Sequence, residues 1–421
     1  MLGLLSFIFV LGTAVLVHEM GHFIVAKKCG VMCHEFAIGM GPAIIKWRRG
    51  ETLYSIRAIP IGGYVLMAGE EIEKNIIENG ERIGLTLNSA GEVTEFHLIS
   101  GGDVFGEIRS SDLVDKLSVT ISTDNGDEII YPVAKDAIYV DSKKNLRQHI
   151  APRNRLLESK GKIQRFFIMS AGATMNFFLA LVFTLLVGFI LGDQVLTNEL
   201  VTISEEGPAD VAGLQVGDEI IYLNGHTITN GEELWQAIQS TSEGAVEVTY
   251  LRDGVEHQTA LTPTLVERGG EYVLIIGIDM GSYFTYFTRS FTEAIGFAWA
   301  QFLAGFTTII ITIRMLSSGE AGVGDLSGPV GIGVMAGQFA SQGFFPLLIF
   351  ASLININVGL LNLMPLPALD GGRILFIAIE TIIGKPVPSK IEGYVHTTGF
   401  FLFMALFVFT FFNDIMRLFS S

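Results

Sequence analysis

Val15-Leu-Val-His18-Glu19-Met20-Gly21-His22-Phe-Ile-Val-Ala26 places two histidines and a glutamate inside an apolar run that begins at Leu2. A run of this length crosses a bilayer core, which takes about 20 helical residues. Ionisable side chains deep in a membrane helix are costly, so three of them within five residues need a compensating reason. In an α-helix, residues four apart share a face, so His18 and His22 can present two imidazoles to one Zn2+ while Glu19 projects beside them. A chance match to this spacing belongs in a soluble helix facing water, and a proton or ion relay is the other use of intramembrane acids and histidines. The run is not patterned as a secretory signal: Lys27 and Lys28 follow it and nothing basic precedes it. It is expected to be retained as a transmembrane helix over 1–26, with its N-terminus outside.

The rest of the chain agrees with a membrane setting. Its 421 residues are 49% hydrophobic yet carry a formal charge of −16, so apolar spans alternate with acidic soluble parts. That charge, with no Lys/Arg-rich stripe, excludes nucleic acid as a partner. The two cysteines, Cys29 and Cys33, form with His34 only an incomplete metal set and read as soft apolar residues.

Further apolar runs cover Phe166–Leu191, Ala294–Ile313, Phe344–Leu363 and Phe400–Phe412. Lys27, Lys28, Lys46, Arg48, Arg49 and Arg57 follow the first span, and Arg153, Arg155, Lys160, Lys162 and Arg165 precede the second. The segment between them is therefore expected in the cytoplasm. Acidic residues follow the second span and the 317–343 connection has no Lys or Arg, so both read as external. A full crossing by Ala294–Ile313 would break that assignment.

A catalytic zinc site takes three protein ligands and leaves a fourth position for water. The best third candidate is Asp370, in Asn362-Leu-Met-Pro-Leu-Pro-Ala-Leu-Asp-Gly-Gly372, where Pro365 and Pro367 end regular helix. Irregular backbone at membrane depth is tolerated when it lines a cavity. The histidines lie toward the cytoplasmic end of the first span. Asp370 reaches them only if its own span also ends there, which makes 290–316 a peripheral, non-crossing helix and leaves four crossings.

At this point the sequence resembles the site-2 protease family of intramembrane zinc metalloproteases, in its bacterial form. The resemblance rests on His18–His22, Phe36-Ala-Ile-Gly-Met-Gly-Pro42, Arg57-Ala-Ile-Pro-Ile-Gly-Gly-Tyr64, Ala171-Gly-Ala-Thr-Met-Asn176, Leu326-Ser-Gly-Pro329 and Asn362–Gly372. It implies His18, His22 and Asp370 as ligands of one zinc ion and Glu19 as general base. It further implies regulated cleavage of single-span membrane proteins, of the anti-sigma factor or remnant signal peptide kind, after a first extracytoplasmic cut. One departure is Ala173 after Gly172, where relatives commonly carry proline.

The fold expected is a polytopic α-helical membrane protein with transmembrane helices at 1–26, 166–191, 344–372 and 397–416, both termini extracytoplasmic and the active site toward the cytoplasm. Residues 35–69 read as a membrane-associated β-hairpin or sheet, and 70–161 as a cytoplasmic β-rich insertion with a turn at Thr123-Asp-Asn-Gly126. The functional reading of the hairpin, which the family supports, is strand addition to the substrate, with Gly39, Gly41, Ile59, Gly62 and Gly63 permitting close approach. Asn362 is expected to contact the substrate backbone or the developing oxyanion, and Asn176 to pack between helices. Residues 197–282 resemble a single external PDZ domain through Gly207-Pro-Ala-Asp-Val-Ala-Gly-Leu-Gln-Val-Gly-Asp-Glu-Ile-Ile-Tyr-Leu-Asn-Gly225. Such a domain either captures a newly cut C-terminus or excludes bulky uncut proteins. His396, at the start of the last span, is the remaining histidine to note.

Overall fold

The computed structural model describes residues 2–69, 77–98, 101–123, 127–141, 146–241, 244–268, 271–286, 289–320, 322, 324 and 326–420. The start of the insertion at 70–76 and the 124–126 turn lie outside the described residues. In chain order, α1 (Leu2–Lys28) precedes strands β1 (Cys33–Arg49), β2 (Thr52–Met67), β3 (Arg82–Leu87), β4 (Val93–His97), β5 (Val104–Asp112), β6 (Ser118–Ser122), β7 (Glu128–Asp141) and β8 (Leu146–His149). Next come α2 (Lys162–Ile190), β9 (Leu191–Ile203), α3 (Pro208–Val211), β10 (Glu219–Leu223), β11 (His226–Thr227) and α4 (Gly231–Ser240). Strands β12 (Val246–Arg252), β13 (Val255–Leu261), β14 (Thr264–Arg268), β15 (Glu271–Ile275) and β16 (Ile278–Tyr286) follow. Helices α5 (Phe291–Ser318), α6 (Pro329–Gln342), α7 (Phe344–Leu363), α8 (Asp370–Ile383) and α9 (Ser389–Ser420) close the chain. The chain divides into two units, Met1–Leu185 with Phe297–Ser421, and Leu186–Gly296.

In the first unit α1, α2, α5, α7 and α9 are each long and apolar enough to cross a membrane. Length and composition thus count α5 with the rest. It packs on the bundle through a small-residue contact: a Cβ on Gly305 would lie 2.5 Å from Ile356 of α7, and Phe302 and Phe306 set their rings against Phe177 of α2. Two elements differ from the expected pattern. The 317–343 connection contains α6, opened by Pro329 where a missing N–H costs nothing. Its 14 residues are too short for a span of about 20. The amides of Gly328 and Gly331 donate to the buried Asp414 carboxylate of α9 at 3.1 and 2.7 Å, an anion on a helix N-terminus. A Cβ on either glycine would meet that carboxylate. The expected span 344–372 is broken after Leu363 and resumes as a separate helix at Asp370, because Pro365 and Pro367 supply no N–H to continue the ladder.

Strands β1 and β2 pair with repeated register shifts, so that Ala37 stands opposite both Tyr64 and Ser55. The second half of β1 returns to pair with residues 52–57, leaving 63–67 as an edge segment. Gly39, Gly41 and Gly62 have φ between 81° and 86°, and a Cβ on Gly39 would lie 2.5 Å from the Ile59 carbonyl oxygen. Strands β3–β8 form one sheet in the order β4-β3-β5-β6-β7-β8, closed by a parallel β4–β7 pairing around Ile83, Leu85, Phe96, Ile108 and Ile121. Glu51 accepts from Arg155 at 2.7 Å and pairs with Lys27, tying the hairpin, α1 and the segment before α2 together.

The second unit is a sheet in the order β13-β12-β10-β9-β16 with α4 against it. The β12–β13 hairpin turns through Asp253 and Gly254, both with positive φ, as a two-residue turn requires. Helix α4 opens on Asn230, whose side chain accepts from the Glu233 amide, while Glu233 accepts from Thr229. The core is aliphatic, with Leu200, Ile220 and Leu234 fully buried.

Candidate metal centre

His18 and His22 face inward from the uninterrupted helix α1 and are buried. Asp370 arrives from the first turn of α8. His18 Nε2 and His22 Nε2 are 3.2 Å apart, and each lies 3.1 Å from Asp370 Oδ2. Zinc bonds of about 2.0–2.2 Å to nitrogen and oxygen put tetrahedral ligand atoms roughly 3.3 Å from one another. The donor set therefore fits one face of a zinc tetrahedron. Among the described residues it is the one cluster of three or more such side chains that could hold a metal ion.

The approach depends on α2. A Cβ on Gly172 would fall 2.4 Å from His22 Nε2 and 2.6 Å from His18 Nε2, and a Cβ on Gly21 would fall 2.4 Å from the Ala171 carbonyl oxygen. Two glycines in register thus bring α1 and α2 to backbone contact. From that distance His22 Nδ1–H donates to the Ile168 carbonyl at 2.7 Å, which leaves Nε2 with its lone pair free for a metal. The fully buried Asn176 amide lies 3.3 Å from His18 Nδ1. The group facing the ring is Nδ2; turning the amide over, which puts its otherwise unpartnered oxygen there, would let it accept Nδ1–H and free His18 Nε2 in the same way. The expectation for Asn176 is packing; its contact with the ring follows from a helix pairing that one sequence does not display.

Glu19 lines a cavity of about 480 Å3 with the three donor residues. Edge segment 63–67 borders the same space through Tyr64, Val65 and Met67. A Cβ on Gly63 would lie 3.6 Å from Glu19 Cγ. Gly39, Gly41, Ile59 and Gly62 instead shape the hairpin's turns and are not among the residues lining the cavity. Nor is Asn362, whose amide donates to Val358 within α7 at 3.0 Å. Tyr64 is absent from the expected set. Its hydroxyl is held at the hairpin network: burial, then the charge of Glu35, pushes its pKa up to about 12, so it stays protonated. Burial raises Glu35 too, but hydrogen bonds from Ser55, Arg57 and Tyr64 outweigh it and hold the carboxylate below its usual range. Cys29 and Cys33 are not joined in a disulfide.

Residues 6–406 match the model of Peptidase family M50. Zinc metalloprotease RasP of Shouchella clausii (strain KSM-K16) is 39% identical over 425 residues, covering 99% of both chains. Zinc metalloprotease RasP of Geobacillus kaustophilus (strain HTA426) is 34% identical over 420 residues, covering 99% of this chain and 98% of its own. Among solved structures, the PDZ domain of an SdrC-like protein from Listeria monocytogenes aligns at 21% identity over 20% of this chain and 86% of that domain, with a TM-score of 0.18. Matches along the whole length make the molecule a zinc metalloprotease embedded in a cell membrane. The chain belongs to peptidase family M50.

Proposed function

We propose that this chain hydrolyses single-span membrane proteins within the bilayer, with His18, His22 and Asp370 holding zinc and Glu19 as general base. The observation that carries the reading is the triangle of two imidazole nitrogens and one carboxylate oxygen, 3.1–3.2 Å on each side, beside Glu19. When bound, zinc supplies Lewis acidity that lowers the pKa of water and polarises a carbonyl. Glu19 takes the proton of the attacking water and later delivers it to the leaving amine. Ile168 holds the His22 imidazole in one tautomer, and Asn176, with its amide turned over, would do the same for His18.

A membrane substrate arrives helical with its carbonyls satisfied internally, and a protease needs it extended. Edge segment 63–67 supplies replacement hydrogen bonds by strand addition next to Glu19. With one Nδ2 hydrogen on the Val358 carbonyl, Asn362 keeps its second N–H and its oxygen for a substrate contact. Loop charge supports four crossings, with α5 packed on the bundle, both termini and the 197–282 PDZ domain extracytoplasmic, and the site toward the cytoplasm. The substrates are then remnants of a first extracytoplasmic cut, of the anti-sigma factor or signal peptide kind.

Glu19→Gln in purified full-length protein tests the chemistry. One zinc per chain should remain while cleavage of a single-span model substrate disappears. Normal cleavage by the variant would remove Glu19 from the mechanism, and normal cleavage after complete zinc removal would remove the metal.

A further inference from the structure

The loop that delivers Asp370 has an uncommon backbone. Ala368 sits at φ 69°, a left-handed conformation that a residue with a Cβ adopts only under constraint. Pro365 and Pro367 have no N–H, and the turn around Ala368 is closed by one long bond of its own, from the Leu369 amide to the Leu366 carbonyl at 3.4 Å. A second constraint comes from α9: the Ala368 amide donates to His396 Nδ1 at 3.0 Å. Because Nδ1 accepts, the neutral ring carries its proton on Nε2, which lies 3.9 Å from Glu392 Oε1 one turn earlier on α9.

The grip extends to both sides of Ala368. A Cβ on Gly399, three residues after His396 and so on the same face of α9, would lie 2.2 Å from Pro367 Cβ. A Cβ on Gly372 would lie 3.2 Å from the His396 ring. The imidazole therefore sits between the turn at Ala368 and the first turn of α8, and it lines the cavity that holds Asp370.

We infer that His396 is a positioning residue for the metal centre: through the Ala368 amide it holds the left-handed turn that aims the Asp370 carboxylate at the two imidazoles. This rests on the reading of Asp370 as a zinc ligand. What matters is a hydrogen-bond acceptor at the Nδ1 position. Asparagine places an oxygen at nearly the same point; leucine places none. Glycine in place of Ala368 adopts the turn without strain and so reduces the need for the anchor.

The test uses full-length protein in detergent, with zinc affinity measured by competition against a chromogenic chelator and cleavage measured separately. His396→Leu should weaken zinc binding about 10-fold, as loss of an outer-shell partner does. His396→Asn should stay close to the parent protein, and Ala368→Gly added to His396→Leu should recover most of the affinity. If His396→Leu does not fold, His396→Gln replaces it, since it stays polar but moves the acceptor one bond further out. Parent-like zinc affinity in the Leu or Gln variant, equal losses in the Asn and Leu variants, or no recovery on adding Ala368→Gly would overturn the inference. Asp370→Asn runs alongside. If it holds zinc normally, the ligand assignment itself fails; if it loses zinc while His396→Leu does not, only the role of His396 fails.

Discussion

The two units differ in how much polar side chain they bury. In Leu186–Gly296 the fully buried positions are aliphatic, Leu200, Ile220 and Leu234 among them. Between the long helices the interior holds His18, His22, Asn176, Thr184, Ser352 and Asn355, while phenylalanines such as Phe178, Phe401 and Phe412 face outward. In water, burying aliphatic groups drives folding. In lipid that drive between helices is absent, and association comes from close packing and hydrogen bonds, as where Ser352 donates to the Ala180 carbonyl. Polar groups thus gather between the helices, whereas in the β unit Asp218 and Asn198 are the buried exceptions among the described residues.

Four substitutions sharpen that contrast. Gly172→Val should have the largest effect. Its side chain would occupy the space of the ligand nitrogens, and cleavage should fall about 100-fold or more, with zinc lost. Metal analysis of the purified variant checks this, and retained zinc would mean that α1 and α2 are not held at backbone contact. Asn176→Leu exchanges a buried amide for an isosteric apolar group. It should weaken zinc binding roughly 10- to 100-fold by releasing His18 Nδ1, although the same change would be mild in an ordinary core. Leu234→Ala should lower the stability of the β unit by about 2–5 kcal/mol and leave zinc content unchanged, a separation that hydrogen exchange on the intact protein can read.

The smallest effect concerns pH. Burial raises the Asp218 carboxyl, but its bonds from Arg252 at 2.8 Å and from the Gln215 amide at 2.7 Å outweigh that and hold its pKa below the ordinary value. A depressed folded pKa contributes stability that is fully present above the unfolded value of about 3.9 and is lost as pH falls through the folded value. Protection of the β-unit amides should therefore decline on acidification below about pH 4. Asp218→Asn should be less stable near neutrality and should flatten that decline. An unchanged acid limb in the variant would assign it to other groups.

What can be read from one sequence follows from the same contrast. His18, Glu19 and His22 announce themselves because four-residue spacing on an apolar helix is a local signal, and Asp370 does so through the prolines before it. Helix α6 escapes such a reading because its glycine-rich start has no side-chain cap and its apolar residues extend too briefly to register as a span. Gly172, Asn176, Tyr64 and the edge segment 63–67 owe their importance to contacts between elements far apart in the chain, which no periodicity records. Asn362 shows the reverse: conspicuous in the motif, it is bonded inside its own helix. The resemblance covers the whole chain and supplies the class of activity, but distances inside the site come only from the packing.

The carboxylate of Asp414 lies close to the end of α9, yet it fastens the start of α6, which in turn rests against the first residues of α1. Helix α6 therefore joins the first turn of α1 to the last turns of α9. A change that loosens Asp414 would thus be felt at α1, the helix that carries both imidazoles.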